Sequence, residues 1–276
     1  MRPPRRDRRG IPLRAVVPNA VTALALCSGL TAIRFAIAGQ WGEALAAIMV
    51  AAVLDGMDGR IARMLNGASR FGAELDSLSD VVAFGVSPAI VLHLWALRYW
   101  PRFGWLFALA YAVCTALRLA RFNASLDTAE QPHKSAGFLT GVPAPAGAGM
   151  LLLPIFLWLA SGGQWAWLRD RVVAAPWAAL VAFLMVSTVA TFSWTSFRLR
   201  SHVRLWVLVA VAIVGGALLV APWETLSVVI LLYAVSIPFS ASSYARVRRQ
   251  RALSDQPKSA RPKPGPSLPE PAPPTA

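Results

Sequence analysis

The chain has 276 residues, 56% of them hydrophobic, and a formal net charge of +14. Soluble domains are usually about 45–50% apolar; here the excess lies in runs long enough to cross a bilayer, which takes about 20 apolar residues per helix. That excludes a soluble globule, and because the apolar runs separate the basic clusters it also argues against nucleic acid as the partner of the positive charge.

Eight candidate helices follow in order, near 17–38, 42–64, 75–98, 103–122, 143–160, 176–196, 204–221 and 224–243. The pattern predicts an all-α polytopic membrane protein with about eight transmembrane helices. It divides the chain into a basic segment 1–16, a membrane domain 17–243 and a basic, proline-rich tail 244–276. The start, Met1-Arg2-Pro3-Pro4-Arg5-Arg6, resembles the charged region of a signal peptide. The apolar stretch behind it is too long and lacks a clear small-residue cleavage site, so it reads as a retained first span. Pro18 is expected in the first turn of helix one and Gly39 at its end. Asp76 and Asp80 are expected in the first turns of helix three, with Gly67 and Gly72 in the loop before it. Pro143-Ala144-Pro145 marks the start of helix five. The tail after Ser254 lacks an apolar face and is expected to be disordered. Cys27 and Cys114 lie mid-span and read as small core residues, not as a disulfide or zinc pair.

Loop charges set the orientation. With the N-terminus in the cytoplasm, that side holds Arg2, Arg5, Arg6, Arg8, Arg9 and Arg14, then Arg60, Arg63 and Arg70, then Arg118, Arg121 and Lys134, then Arg198, Arg200 and Arg204, and the basic tail. The other side keeps Arg98, Arg102, Arg169 and Arg171. This asymmetry follows the positive-inside rule and requires an even number of spans. Arg34, late in the first span, is expected to snorkel.

Four of the chain's 13 acidic residues sit close together in this apolar setting: Asp55, Asp58, Asp76 and Asp80. A carboxylate at membrane depth costs roughly 2.5–3.5 kcal/mol and is read as functional by default. Spacings of three and four put both members of each pair on one helix face, and the two helices are antiparallel neighbours. Four hard oxygen donors with no His or Cys nearby suit Mg²⁺ or Mn²⁺, and are enough for two ions. Gly56 and Gly59 permit close approach to the backbone, and Arg60, Arg63 and Arg70 match phosphate geometry. Together these describe a site for a phosphate-bearing substrate. Caps or arginine partners at helix ends, and a cation pathway in a transporter, are other uses of such acids. Ser77, Ser79 and His133 form no Ser-His-Asp pattern, and serines near a helix start are usually caps.

The spacing Asp-Gly-x-Asp-Gly-x-x-Ala-Arg-x8-Gly-x3-Asp-x3-Asp is filled by Asp55, Gly56, Asp58, Gly59, Ala62, Arg63, Gly72, Asp76 and Asp80. It resembles the signature of the CDP-alcohol phosphotransferase family. The resemblance implies a six-helix core with a two-metal site facing the cytoplasm. It implies that Asp55, Asp58, Asp76 and Asp80 hold the metals, that Asp80 is also the base, and that Gly59 and Arg63 contact the CDP part of the substrate. Two spans exceed that core, and the signature says nothing of their role.

Further segments narrow the acceptor. Arg118-Leu119-Ala120-Arg121-Phe122-Asn123, the stretch from Gly137 to Ala146, Phe71-Gly72-Ala73-Glu74-Leu75-Asp76-Ser77-Leu78 and Phe84-Gly85-Val86-Ser87-Pro88-Ala89 resemble the serine-accepting, integral-membrane branch of that family. The likeness runs from about Pro18 to Ala160, with Val142 where leucine is expected, and the last hundred residues give no help. It implies CDP-diacylglycerol and L-serine as substrates, phosphatidylserine and CMP as products, a place in the cell's inner membrane among its lipids, and a homodimer as one assembly. Arg118 and Arg121, three apart on one face, could take the serine carboxylate or a phosphate; topology anchoring is their other reading. Asn123 is open between a helix cap and a substrate donor. Glycerol 3-phosphate or an inositol phosphate is the alternative acceptor within the family, and a cation transporter the alternative outside it.

Cysteine labels introduced at the N-terminus, within 65–70 and in the tail are expected to react from the cytoplasmic side, and labels near Arg102 and Arg169 from the other. Opposite accessibility of the two termini would mean an odd number of spans.

Overall fold

A computed structural model of the chain describes residues 13–100, 102–126, 138–140, 142–187, 190–192 and 201–237. Helices α1 (Leu13–Ile37) and α2 (Trp41–Met64) form a hairpin. Gly39, at φ +74°, makes the turn: its N–H donates to the Ala36 carbonyl, and the Gln40 N–H donates to that of Phe35. A residue without Cβ takes this left-handed geometry at no steric cost. Helix α3 runs over Arg70–Leu97. It is followed by α4 (Gly104–Leu126), α5 (Ala144–Ala160), α6 (Arg171–Val186), α7 (Ser201–Val220) and α8 (Pro222–Ile237).

The segments Val16–Ile37, Arg70–Leu97 and Gly104–Ala124 are long and apolar enough to cross a bilayer by length and composition alone. Helices α5 to α8 contribute shorter apolar stretches. Helix α2 is long but carries Glu43, Asp55, Asp58, Arg60 and Arg63. The chain is an all-α polytopic membrane protein. Its strands, among the described residues, are two short ones, β1 (Phe138–Thr140) and β2 (Ala190–Phe192), paired antiparallel with Phe138 opposite Phe192.

Several boundaries differ from the hydropathy reading, each for a local reason. Helix α3 begins at Arg70, not 75, because the Ser69 side chain caps it, accepting from the Gly72 N–H at 3.0 Å. Asp76 and Asp80 therefore lie in its second and third turns, and Gly72 lies in the helix, not in the loop. Helix α6 occupies Arg171–Val186, not 176–196: Asp170 caps it by accepting from the Val172 N–H at 3.1 Å, and the chain is extended by Ala190–Phe192. Pro18 lies inside α1, which starts at Leu13, and not in its first turn. The expectations for Arg2 to Arg9, for His133 and Lys134, for Arg198 and Arg200, and for the tail lie outside the described residues.

The core sits among α3, α4, α5 and α6, where Trp95, Tyr111, Leu151, Phe156 and Met185 are fully buried. Helix α7 turns large apolar side chains outward, among them Trp206, Leu208 and Leu219. In lipid this costs nothing, because hydrocarbon is as apolar as the side chains.

Within α3, Val81–Val86 and His93–Leu97 are π-helical. Such segments disturb the i→i−4 ladder, and each receives a donor from a neighbouring element. Tyr111 Oη donates to the Phe84 carbonyl at 3.0 Å, and Arg169 Nε donates to the Trp95 carbonyl at 2.8 Å. Arg169 also stacks on Trp41, and Arg171 on Trp100, each 6.0 Å from the ring centre. These cations share one end of the bundle with Arg98. Asp76 and Asp80 lie 22 and 18 residues before Arg98, at most about 27–33 Å along the helix at the 1.5 Å per residue of an α-helix, the π-helical turns shortening this. The aspartates and these arginines therefore lie about one bilayer thickness apart.

Close helix contacts fix the N-terminal half. A Cβ on Gly29 would stand 2.8 Å from the Cα of Ala83, so α1 touches α3 backbone to backbone at the first π segment. Gly29→Ala is expected to lower thermal stability in detergent, since overpacking against backbone costs about 1–3 kcal/mol. Gly215→Ala in α7 meets open space and is expected to leave stability unchanged or raise it, as alanine is the better helix former. Equal effects of the two would contradict this packing.

Candidate functional site

Two helices and a five-residue connection build the acidic site. Helix α2 ends in a left-handed residue, Asn66 at φ +49°, with the Gly67 N–H donating to the Ala62 carbonyl at 2.9 Å. The Ser69 cap then starts α3. This tight reversal sets the Asp55 and Asp58 turns of α2 beside the Asp76 and Asp80 turns of α3.

Carboxylate oxygens of Asp55, Asp76 and Asp80 all lie within 4.8 Å of one another, and all three residues are half-buried. Asp58 lies outside this trio. Residues three apart on a helix are offset by about 60°, and that offset turns Asp58 toward α1. It is buried there, 6% exposed, and its Oδ2 accepts from Thr22 Oγ1 at 2.6 Å. The Ser79 hydroxyl, also buried, donates to the Thr22 carbonyl at 3.3 Å.

Among the described residues no salt bridge balances these carboxylates. Two unit charges 4.8 Å apart repel by about 3 kcal/mol at an effective dielectric near 20. Asp55 and Asp80 are joined by a side-chain hydrogen bond; such hard, clustered oxygen donors without a basic partner fit a divalent cation, and the acidic cluster could hold one. The serine, asparagine and arginine residues around it supply no competing soft ligand.

Beside the trio a cleft of about 240 Å³ opens between α1, α2 and α3. Asn19, Thr22, Asp58, Gly59, Arg63 and Asp76 contribute to its wall. The two glycines of the Asp-Gly pairs are not explained by helix packing, since a Cβ on Gly56 or Gly59 would meet nothing within 4 Å. Their backbone is open to an approaching molecule. Gly72 differs: a Cβ there would lie 2.6 Å from Asn19 Oδ1, so it is small to admit α1. Of the nearby arginines, Arg63 lines the cleft; Arg60 and Arg70 are exposed outside it.

The structure separates the two arginines of α4. Arg121 is exposed, and its Nη1 donates to the carbonyl of Val186, the last residue of α6, at 3.0 Å. Arg118 is half-buried, lies within electrostatic reach of Asp80, and its buried Nε has no hydrogen-bond partner among the described residues. Asn123 Nδ2 donates to Ser77 Oγ at 2.8 Å, and Ser77 donates to the Ala73 carbonyl at 3.0 Å. That pairing ties the end of α4 to α3; with Ser79 donating to the Thr22 carbonyl, neither serine hydroxyl is poised as a nucleophile.

Thr22 and Asn19 were not singled out from sequence. The available signal was weak: two polar residues three apart on one side of a mostly apolar helix that also carries Ser28, Thr31 and Arg34. Nothing in α1 alone says what they face.

Comparison with known proteins gives a consistent picture. The profile of CDP-alcohol phosphatidyltransferases matches residues 15–183, which span α1 to α6. A second profile, CDP-alcohol phosphatidyltransferase 2, matches residues 202–238, the α7–α8 pair. The C-terminal part is thus more informative than its composition suggests. A CDP-diacylglycerol–serine O-phosphatidyltransferase of Mycobacterium tuberculosis is 41% identical over 92% of this chain and 85% of its own length. A protein of the same name from Helicobacter pylori is 31% identical over 79% of this chain and 87% of its own length. Another from Bacillus subtilis is 37% identical over 50% of this chain and 73% of its own length.

Proposed function

The chain belongs to the CDP-alcohol phosphatidyltransferase family, and from that premise we propose that it transfers the phosphatidyl group of CDP-diacylglycerol to the hydroxyl of L-serine, giving phosphatidylserine and CMP. The observation that carries this reading is the meeting of Asp55, Asp76 and Asp80 beside a cleft lined by Asp58, Gly59 and Arg63. The acceptor is supported by similarity to the serine transferases of three bacteria.

Asp55, Asp58, Asp76 and Asp80 would hold two divalent ions, Mg²⁺ or Mn²⁺, which when bound neutralise the pyrophosphate oxygens and the charge on departing CMP. The cleft takes the CDP part. Its nucleotide approaches the bare backbone at Gly59, and Arg63 faces the phosphates. Asp80, half-buried at the junction of α3's α-helical and π-helical parts, orients the serine hydroxyl and accepts its proton. The serine oxygen forms a bond to the phosphorus of the phosphatidyl group as the bond to the CMP oxygen breaks, without a covalent enzyme intermediate. The acyl chains stay in the bilayer and the headgroup enters from the side. In this reading the site and both termini face the cytoplasm, in the cell's inner membrane, and residues 244–276 are a tail outside the membrane domain.

Arg118 and Arg121 are no longer equivalent candidates for the serine carboxylate. Arg121 already serves the end of α6, whereas Arg118 has donor capacity to spare near Asp80. A buried guanidinium nitrogen without an acceptor is costly unless a ligand completes it.

Asp55→Ala, Asp58→Ala and Asp76→Ala are each expected to abolish turnover. EDTA should do the same to the parent, and added Mn²⁺ or Mg²⁺ should restore only the parent. Full activity without metal would refute the assignment of the cluster. Arg118→Ala should raise the KM for serine about tenfold to a hundredfold, the equivalent of one charge-assisted contact of roughly 1.5–3 kcal/mol. The KM for CDP-diacylglycerol should change little. Arg121→Ala should lower thermal stability and leave both KM values alone. A reversed pattern would exchange the roles of the two arginines.

A further inference from the structure

We infer that Thr22, on α1, is a positioning residue that holds the carboxylate of Asp58 in its metal-binding orientation. This rests on the reading of the four aspartates as a divalent-cation site, and it extends that site to a helix that contributes no carboxylate.

Three observations carry it. Thr22 is buried, 4% exposed, so its hydroxyl needs a partner inside the protein. Its Oγ1 lies 2.6 Å from Asp58 Oδ2 and 3.2 Å from the Pro18 carbonyl. A hydroxyl has one proton to donate, and the shorter contact, in the range for O–H···O⁻ bonds, takes it. Finally, the Ser79 hydroxyl donates to the Thr22 carbonyl, so the backbone that carries Thr22 is itself tied to α3 one residue before Asp80.

The consequence is a division of labour within one carboxylate. Thr22 occupies Oδ2 of Asp58, which fixes the side-chain rotation and leaves Oδ1 for a ligand. Asp58 also lines the cleft, so the orientation that Thr22 sets is the one presented to an incoming metal–phosphate group. Without the hydroxyl, the buried carboxylate would lose its donor among the described residues and swing to find another. Partners of this kind typically change metal affinity by 10- to 100-fold when removed. Threonine also suits the task sterically. Its methyl group can pack in the helix interface while the hydroxyl bonds, so valine keeps the shape and removes only the donor.

The test is direct binding of Mn²⁺ to the purified full chain in detergent without substrates, read by the loss of the free-ion signal in electron paramagnetic resonance. Thr22→Val is expected to weaken binding about tenfold or more. Thr22→Ser, which keeps the hydroxyl, should bind within about threefold of the parent. Thermal unfolding in EDTA checks that Thr22→Val is folded; if it is not, Ser79→Ala replaces it, with a weakening of severalfold expected. Parent-like binding by a folded Thr22→Val protein, or equal loss in Thr22→Ser and Thr22→Val, would overturn the inference. Failure of the parent itself to bind Mn²⁺ would instead overturn the metal reading on which it rests.

Discussion

Mutual repulsion among carboxylates inside an apolar bundle is the constraint from which the rest follows. Asp55, Asp76 and Asp80 approach within 4.8 Å of one another with no salt bridge among the described residues. A protein that only needed to cross the membrane would not accumulate this charge, because each group also carries a desolvation cost. On the proposed reading, cations and a phosphate-bearing ligand would offset both costs. On the function proposed above, that same concentration of charge would favour a metal–pyrophosphate group over an uncharged ligand.

The surrounding fold keeps the carboxylates at their spacing. The α2–α3 reversal through Asn66 and Ser69 sets the register between the two acidic faces. Helix α1 closes the third side, admitted by small residues: Gly29 against Ala83, and Gly72 against Asn19. The π segment that begins right after Asp80 is secured from α4 by Tyr111. A helix that changes pitch at that point can aim Asp76 and Asp80 into the site while packing its remainder on α4, and π segments often occur at functional sites for that reason. At the far end, Arg169 and Arg171 against Trp41 and Trp100 form the aromatic and cationic border expected at a membrane interface.

Much of this was legible in the amino-acid order, and the parts that were not share a cause. Eight apolar segments and the four spaced aspartates are one-dimensional signals, and the helices and acidic faces follow from them. The start of α3 and of α6 was also written in the sequence, as the caps Ser69 and Asp170, but hydropathy averages over such single residues and placed both starts about five residues late. What could not be read is anything set by another helix. Asp55 and Asp58 look equivalent on α2, yet one meets α3 and the other meets Thr22 on α1. Arg118 and Arg121 look equivalent on α4 until the end of α6 engages one of them. The π segments depend on donors from α4 and from Arg169, and no local pattern announces them.

The reaction proposed for the acidic site is metal-dependent transfer to serine. It is tested most directly by measuring CMP release from CDP-diacylglycerol by the purified full chain in detergent, with Mg²⁺ or Mn²⁺ present and candidate alcohols supplied one at a time. CMP release is expected with L-serine and not with glycerol 3-phosphate or an inositol phosphate. CMP release with glycerol 3-phosphate but not with serine would contradict it, placing the chain with another acceptor in the same family.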